Sequence, residues 1–467
     1  MTEDISILRP LRPLCALTAK KIYRNLLAII LVFPVSAQIE VTSLSGDDSK
    51  GSLIAAILSA NAQKADPAKP VTIRFAKQLA GEIVLSKDLP AIENHLSIVG
   101  NVANGQPTIT INGSVNPTVN EGLKGGFSPG SRLFVVKTGN IVSFENLHLT
   151  KSNKSGIVNE GGSVTVKNCM FTYNMGIGSV HGTAGAIQNE SGYLTVIGSY
   201  FFYNTGGVGG TDGGVGYGGA GSIQMVEGNA MIINSSFIDN EGGFGGVGVG
   251  SVGGAGALML RAGNVFMANS TVAGNFGGGS IVTGASGGIV LLGGDMLVLQ
   301  TTIVDNMGGA GLGGFDGVDF CSGGIHVLAG KLTLGNTLLA GNQNGSDEET
   351  DIEAQASGEV HSLGGNLTAQ TKVTLNKTGD VNGVTMSDVV STTEEGKYLS
   401  EVVTGFMPTV RLTAASPAKN KGVVLADLNP TGSSKFFVDV WNSYSTLLQS
   451  DQNGIKRAVT PSIGAVE

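Results

Sequence analysis

Ala230-Met231-Ile232-Ile233-Asn234-Ser235-Ser236-Phe237-Ile238-Asp239-Asn240 is one copy of a sentence written six times between Gly161 and Asn342. The copies close on Asn174, Asn204, Asn240, Asn275, Asn306 and Asn342, at steps of 30, 36, 35, 31 and 36 residues. A period of this length marks a solenoid, whose units bury their apolar side only by stacking on one another. Ten residues before each Asn stand Val164, Leu194, Ala230, Val265, Met296 and Leu332, and eight before it Val166, Val196, Ile232, Met267, Val298 and Leu334. Three before it stand Phe171, Phe201, Phe237, Val272, Ile303 and Leu339. Apolar residues two apart, many of them β-branched, read as strands with one inward face.

A corner separates the eighth position from the third. Its first residue is Asn168, Gly198, Asn234, Asn269, Gln300 or Asn336, and its second is Cys169 or a Ser or Thr. Asn and Gly tolerate the left-handed backbone of a sharp turn, and stacked amides can bond from rung to rung. A further short strand precedes the later copies, as at Gly221-Ser222-Ile223 and Gly256-Ala257-Leu258. The fold expected is all-β: a right-handed, single-stranded parallel β-helix with three strands per turn and rungs ~4.8 Å apart.

Composition agrees, and it narrows the function. The chain has 467 residues, 73 of them Gly, and a net charge of −8. Phosphate binding needs a basic surface, so nucleic acid is not an expected partner. Lys20, Lys21 and Arg24 precede the apolar run Leu26–Val35 and Val35-Ser36-Ala37, which reads as a signal peptide over residues 1–37 with cleavage before Gln38. No later run is long and apolar enough to span a bilayer, so the mature chain is expected to lack a transmembrane segment. Cys169 and Cys321 fall several rungs apart and should be free thiols.

Residues 38–160 read as an N-terminal cap and irregular first rungs. Gly51 to Asn61 is a short amphipathic helix that would cover the open first rung, and strands follow at Val71–Phe75, Gly81–Leu85, His95–Gly100 and Thr108–Gly113. Residues 161–342 are the regular repeats. After Asn342 glycine thins out, and residues 343–467 read as the last rungs and a cap over the open end.

Gly51-Ser52-Leu53-Ile54-Ala55-Ala56-Ile57, followed by Ile73-Arg74-Phe75, Leu89-Pro90-Ala91-Ile92 and Leu96-Ser97-Ile98-Val99-Gly100, resembles the start of exported bacterial β-helix proteins. Their opening motif is Cys-Ser-Leu-Arg-Glu-Ala-Ile, and here Gly51, Ile54 and Ala55 replace its Cys, Arg and Glu. The pairing of Gly-Gly-Ala-Ile with Phe-x-x-Asn is similar to the repeats of chlamydial polymorphic outer-membrane proteins, which are surface adhesins. Leu363-Gly364-Gly365-Asn366-Leu367, Ser416 to Gly422, Asp451-Gln452-Asn453-Gly454, Arg457 and Ile463 to Glu467 resemble the domain called choice-of-anchor Q, with Asn420 and Ser462 where Asp is usual. The resemblance implies a β-helix fold and export.

A polysaccharide lyase or glycoside hydrolase on this fold would need carboxylates from adjacent rungs converging on one sugar. The outward columns of the first regular strand contain none, so no catalytic residue, cofactor or metal site is assigned. Asp239 and Asp305 share a register two rungs apart and read as structural groups beside the Asn corner. Asp212, Asp316 and Asp319 read as loop acids, and His326 as a surface histidine. The Asn-x-Ser/Thr triplets restate the corner rule or chance and imply no glycans. Ile197, Met231, Ile233, Phe266, Leu297 and Leu299 would form an outward apolar stripe, a contact surface for the C-terminal segment, a partner or a ligand, unless a glycine-rich loop folds back over it. The function expected is an exported binding module of adhesin type, meeting a glycan or cell-surface ligand or a second copy. The alternatives are a carbohydrate-active β-helix enzyme and a structural component of the cell envelope or matrix.

Overall fold

The inward positions of the repeats do stack. In the computed structural model, which describes residues 37–114, 130–210, 213–311, 321–392, 398–399 and 407–467, successive rungs pair in parallel, with register shifts at Asn159–Ser163, Val327–Ala329 and Leu334–Gly335. Phe171 meets Phe201 and Phe201 meets Phe237 with ring centroids 4.9 and 4.6 Å apart and planes within 6° and 4° of parallel. That spacing is the rung repeat itself, so like side chains fall on like and the stack fills the core. The chain divides into Met1–Ala37 and Gln38–Glu467, and the signal peptide expected over residues 1–37 lies, apart from Ala37, outside the described residues.

Among the described residues the coil is built from a sheet of 15 strands and one of 11, a parallel β-helix of the right-handed sense that crossovers between parallel strands take. The two strands expected upstream of the Asn corner belong to one bent sheet, because Ile157–Lys167, Ile187–Ile197 and Ile325–Gly335 run through the bend unbroken. Asn159 carries one such bend, accepting from the Gly162 amide at 2.7 Å and donating to Asn189 Oδ1 at 2.7 Å. The 11-stranded sheet holds the strand that ends each copy, such as Tyr200–Phe202 and Ser236–Ile238.

Corners follow the sequence rule. Asn168, Asn234, Asn269, Gln300 and Asn336 all have φ between 48° and 52°, and Gly198 has 58°. The closing Asn residues are fully buried and form a continuous ladder: Nδ2 of Asn174 donates to Oδ1 of Asn204 at 2.9 Å, and so on through Asn240, Asn275, Asn306 and Asn342. Asn342 hands its last donor to Asp351 at 2.7 Å, so the ladder ends on a carboxylate.

At the N-terminus Leu53–Asn61 is helical, with Ser52 accepting from the Ala55 amide at 3.1 Å as the cap. Its Leu53, Ile54, Ala56, Ile57 and Ala60 are buried in the main core and close the first rungs. Gln38–Val41 adds an edge strand beside Val71–Phe75 that the sequence reading did not place. At the other end Ile352–Gly364 and two short strands finish the coil, with buried Leu375 in the main core.

Residues 407–467 do not cap that end as expected; they run back along the flank of the shaft. The reason is the apolar stripe. Met231, Ile233, Phe266, Leu297 and Leu299 are at most 4% exposed, because Phe437, Val440 and Trp441 of the helix Lys435–Tyr444, with Leu428 and Leu448, lie on them, and Ile197 packs at the margin. The stripe is thus an internal seam and is not open to a second molecule. A second seam packs Val410, Ala418 and Ile463 on Ile238, Ala273, Val304 and Leu338.

Polar clips set the register of this strap. Arg457 Nη2 donates to Asn269 Oδ1 at 2.9 Å, Gln452 bridges Ser236 and Thr271 at 2.7 and 2.6 Å, and Val423 exchanges bonds of 2.7 and 2.8 Å with the Asn336 amide.

Glycine-rich loops do fold back on the shaft, but not over the stripe. Gly207, Gly219, Gly243, Gly254 and Gly278 bond in series, each amide to the carbonyl of the one before at 2.7 or 2.8 Å. In the column that pairs Gln188, Gln224, Met259, Val290 and His326 from rung to rung, all five are 2% exposed or less. His326 is therefore a buried histidine and not a surface one, and burial holds its imidazole down at about 4. Cys169 and Cys321 are both buried, and burial pushes the Cys169 thiol up to about 12.

Candidate functional site: a lateral acidic cleft

Each rung places a residue of left-handed backbone just before its closing Asn: Tyr173, Tyr203, Asp239, Gly274, Asp305 and Gly341, with φ between 51° and 67°. The sharp turn throws these side chains off the shaft in one column. The next column over is Thr205, Glu241, Phe276, Met307 and Gln343, paired rung to rung. Tyr173 and Tyr203 stack at 5.5 Å and stand 37% and 46% exposed.

A cleft opens where the two columns meet. Asp239, Gly274, Phe276, Asp305, Asn306, Met307, Gly341, Gln343 and Tyr398 line about 180 Å³. Gly274 makes it. A Cβ there would sit 2.5 Å from Asp239 Oδ1 and 3.3 Å from the Tyr398 hydroxyl, so glycine alone lets a carboxylate and a phenol meet over the rung between the acids. Tyr398 comes from the far C-terminal part of the chain and its hydroxyl donates to Asp305.

The electrostatics are those of charge held out of water without a counter-ion. Burial, then the neighbouring Asp305, pushes the Asp239 carboxyl up to about 6. Burial also raises Asp305, against the pull of the Tyr398 hydrogen bond, and raises Glu241 nearby. Tyr398 itself is raised by burial and by the Asp305 charge. No Lys, Arg or His is among the described residues that line the cleft. Such raised carboxyls cluster at functional sites more often than elsewhere.

The structure thus unites two acids that the sequence reading had treated as corner supports. They are corner residues, as their φ values of 51° and 55° require, and they also face one cleft. Tyr398, Phe276, Met307 and Gln343 were missed. Phe276 and Met307 could have been found, as bulky apolar residues directly after a closing Asn; Tyr398 reaches the cleft by tertiary folding alone. The Asn ladder is internal, although its Asn306 also lines the cleft, and Asp316, Asp319 and Asp212 lie outside the described residues. Among the described residues no three His, Cys, Asp or Glu side chains are placed to hold a metal ion, and no helix is long and apolar enough to cross a membrane.

The described residues form a parallel β-helix with a lateral cleft. No protein-family model matches the chain, and no curated protein matches it. Among solved structures it is similar to the crystal structure of pectate lyase Pel9A, at 16% identity and a TM-score of 0.48, over 93% of this chain and 97% of that one.

Proposed function

We propose that the chain is an exported β-helix shaft that binds saccharide in the Asp239–Asp305–Tyr398 cleft, as a display module of adhesin type. One observation carries this reading: hydrogen-bonding groups of three kinds, carboxylate, phenol and amide, converge on one open cleft beside Phe276, which is 49% exposed. Sugars offer hydroxyls to the first set and C–H faces to the second, and small-ligand sites combine such groups on a rigid frame. The leader-like residues 1–37 support export.

The test is equilibrium binding of Gln38–Glu467 to a panel of soluble oligosaccharides. Saturable binding is expected, with Phe276→Ala and Tyr398→Phe each weakening it about tenfold, or about 1.4 kcal/mol. A panel on which nothing saturates sinks the proposal.

A second reading is favoured by the same pair of acids. Two rungs set their Cα atoms ~10 Å apart, and an inverting glycosidase holds its acid and base roughly 6.5–9.5 Å apart with water between them. Release of reducing ends by the native chain, lost in Asp239→Asn and in Asp305→Asn, would establish it. Binding without cleavage leaves the display reading in place.

A further inference from the structure

We infer that the cleft selects a cationic amino sugar, a hexosamine with a free ammonium group, over neutral and acidic sugars; this rests on the saccharide reading above. Carboxylates alone would not make the case, since two acids at a surface are ordinarily just solvated. What distinguishes this pair is the company it keeps.

An ammonium group has three N–H donors and no acceptor. The cleft offers three acceptors that no described cation occupies: a carboxylate oxygen of Asp239, one of Asp305, and the Tyr398 oxygen, whose own proton is committed to Asp305. Gly274 brings Asp239 and Tyr398 together over one rung, so one compact cation can reach all three groups. A neutral sugar would satisfy hydrogen bonds yet leave the two carboxylates repelling each other in a half-buried place. A uronate would add a third negative charge, in a chain that already carries −8. A divalent metal fits less well, because no third His, Cys, Asp or Glu completes a ligand set among the described residues.

A lysine side chain carries the same ammonium. The surroundings favour the sugar. Phe276 and Met307 line the cleft and present an apolar wall that the C–H face of a sugar ring covers more fully than a single methylene stem does. The 180 Å³ it encloses suits a single saccharide unit.

The experiment is calorimetric titration of Gln38–Glu467 at pH 7.5 with four oligomers of equal length: glucosamine, N-acetylglucosamine, galacturonate and lysine. The glucosamine oligomer is expected to bind at least about tenfold more tightly than its N-acetylated counterpart, and the galacturonate oligomer not at all. Asp239→Asn, checked for an unchanged melting profile, should erase that preference, as should titration near pH 4, where the Asp239 carboxyl is protonated. Equal or tighter binding of N-acetylglucosamine or galacturonate overturns the amino-sugar inference while leaving the saccharide reading intact. Lysine binding as tightly as glucosamine also overturns it, in favour of a basic peptide. Failure of all four, with the wider panel also silent, removes the saccharide reading itself.

Discussion

A single Asn at the closing corner takes part in five hydrogen bonds through its side chain. Asn275 accepts from both the backbone amide and the side chain of Asn240, donates to Oδ1 of Asn306, and donates to the carbonyls of Phe237 and Ala273. Replacing it with Ala leaves buried donors and acceptors on both neighbouring rungs unpaired, and each costs ~1–3 kcal/mol. We expect Asn275→Ala to lower the melting temperature sharply, and a leucine of similar volume to do no better. A thermal scan that moves by only a degree would contradict the ladder's importance.

His326 makes a second prediction at this scale. Its folded pKa is about 4 against an ordinary 6.5, so the unfolded chain takes up a proton that the folded one refuses. Stability is fully present above pH 6.5 and falls as the pH drops to about 4, by ~3 kcal/mol for this group. His326→Leu, which continues the apolar column of Met259 and Val290, should flatten that part of the profile. Comparing the two proteins cancels the opposite slope of Asp239 and Asp351, whose pKa values are raised to about 6 and about 7 and which lose stability as the pH rises. Identical pH profiles for both proteins would show that the imidazole is not buried neutral.

Among elements, the glycine wall and the C-terminal strap behave differently under mutation. A Cβ at Gly254 would meet the Gly219 carbonyl oxygen at 1.9 Å, a backbone contact that no rotamer change relieves. Gly254→Ala should therefore loosen the wall locally and speed amide exchange at Met259 and Val290, while the Asn ladder keeps its protection. The strap depends on side chains instead. Trp441 and Phe266 share one buried seam, and truncating a buried aromatic costs ~3–5 kcal/mol. Trp441→Ala should free the strap to limited proteolysis before the shaft melts; simultaneous loss of both would mean they fold as one unit.

For the whole molecule, the strap turns an exposed apolar column into an interior. A chain ended after Ser391 would lack every C-terminal group that covers Met231, Phe266 and Leu297. Contiguous apolar surface of that kind drives association, so the shortened chain should be oligomeric in sedimentation while the full chain stays dispersed. A monomeric, well-folded truncation would show that the seam adds little.

Much of this architecture could be read from letters alone, because a solenoid repeats the same local instruction. Apolar pairs two apart, Asn or Gly where the backbone must turn left-handed, and a closing Asn every 30 to 36 residues specify each rung by its own sequence and its neighbours'. The helix Leu53–Asn61 was legible for the same reason, as a local pattern with a cap at Ser52. What the letters could not convey is which segment lies on which face. Phe266 looks equally exposed whether a partner, a loop or the strap covers it, and His326 looks like a surface residue until the finished fold buries it. The cleft belongs to the same class: Asp239, Gly274 and Asp305 are spaced by the repeat, but Tyr398 joins them from more than ninety positions beyond Asp305. Local periodicity is written into the chain, whereas contacts between distant segments are chosen only by the burial and pairing of the finished fold.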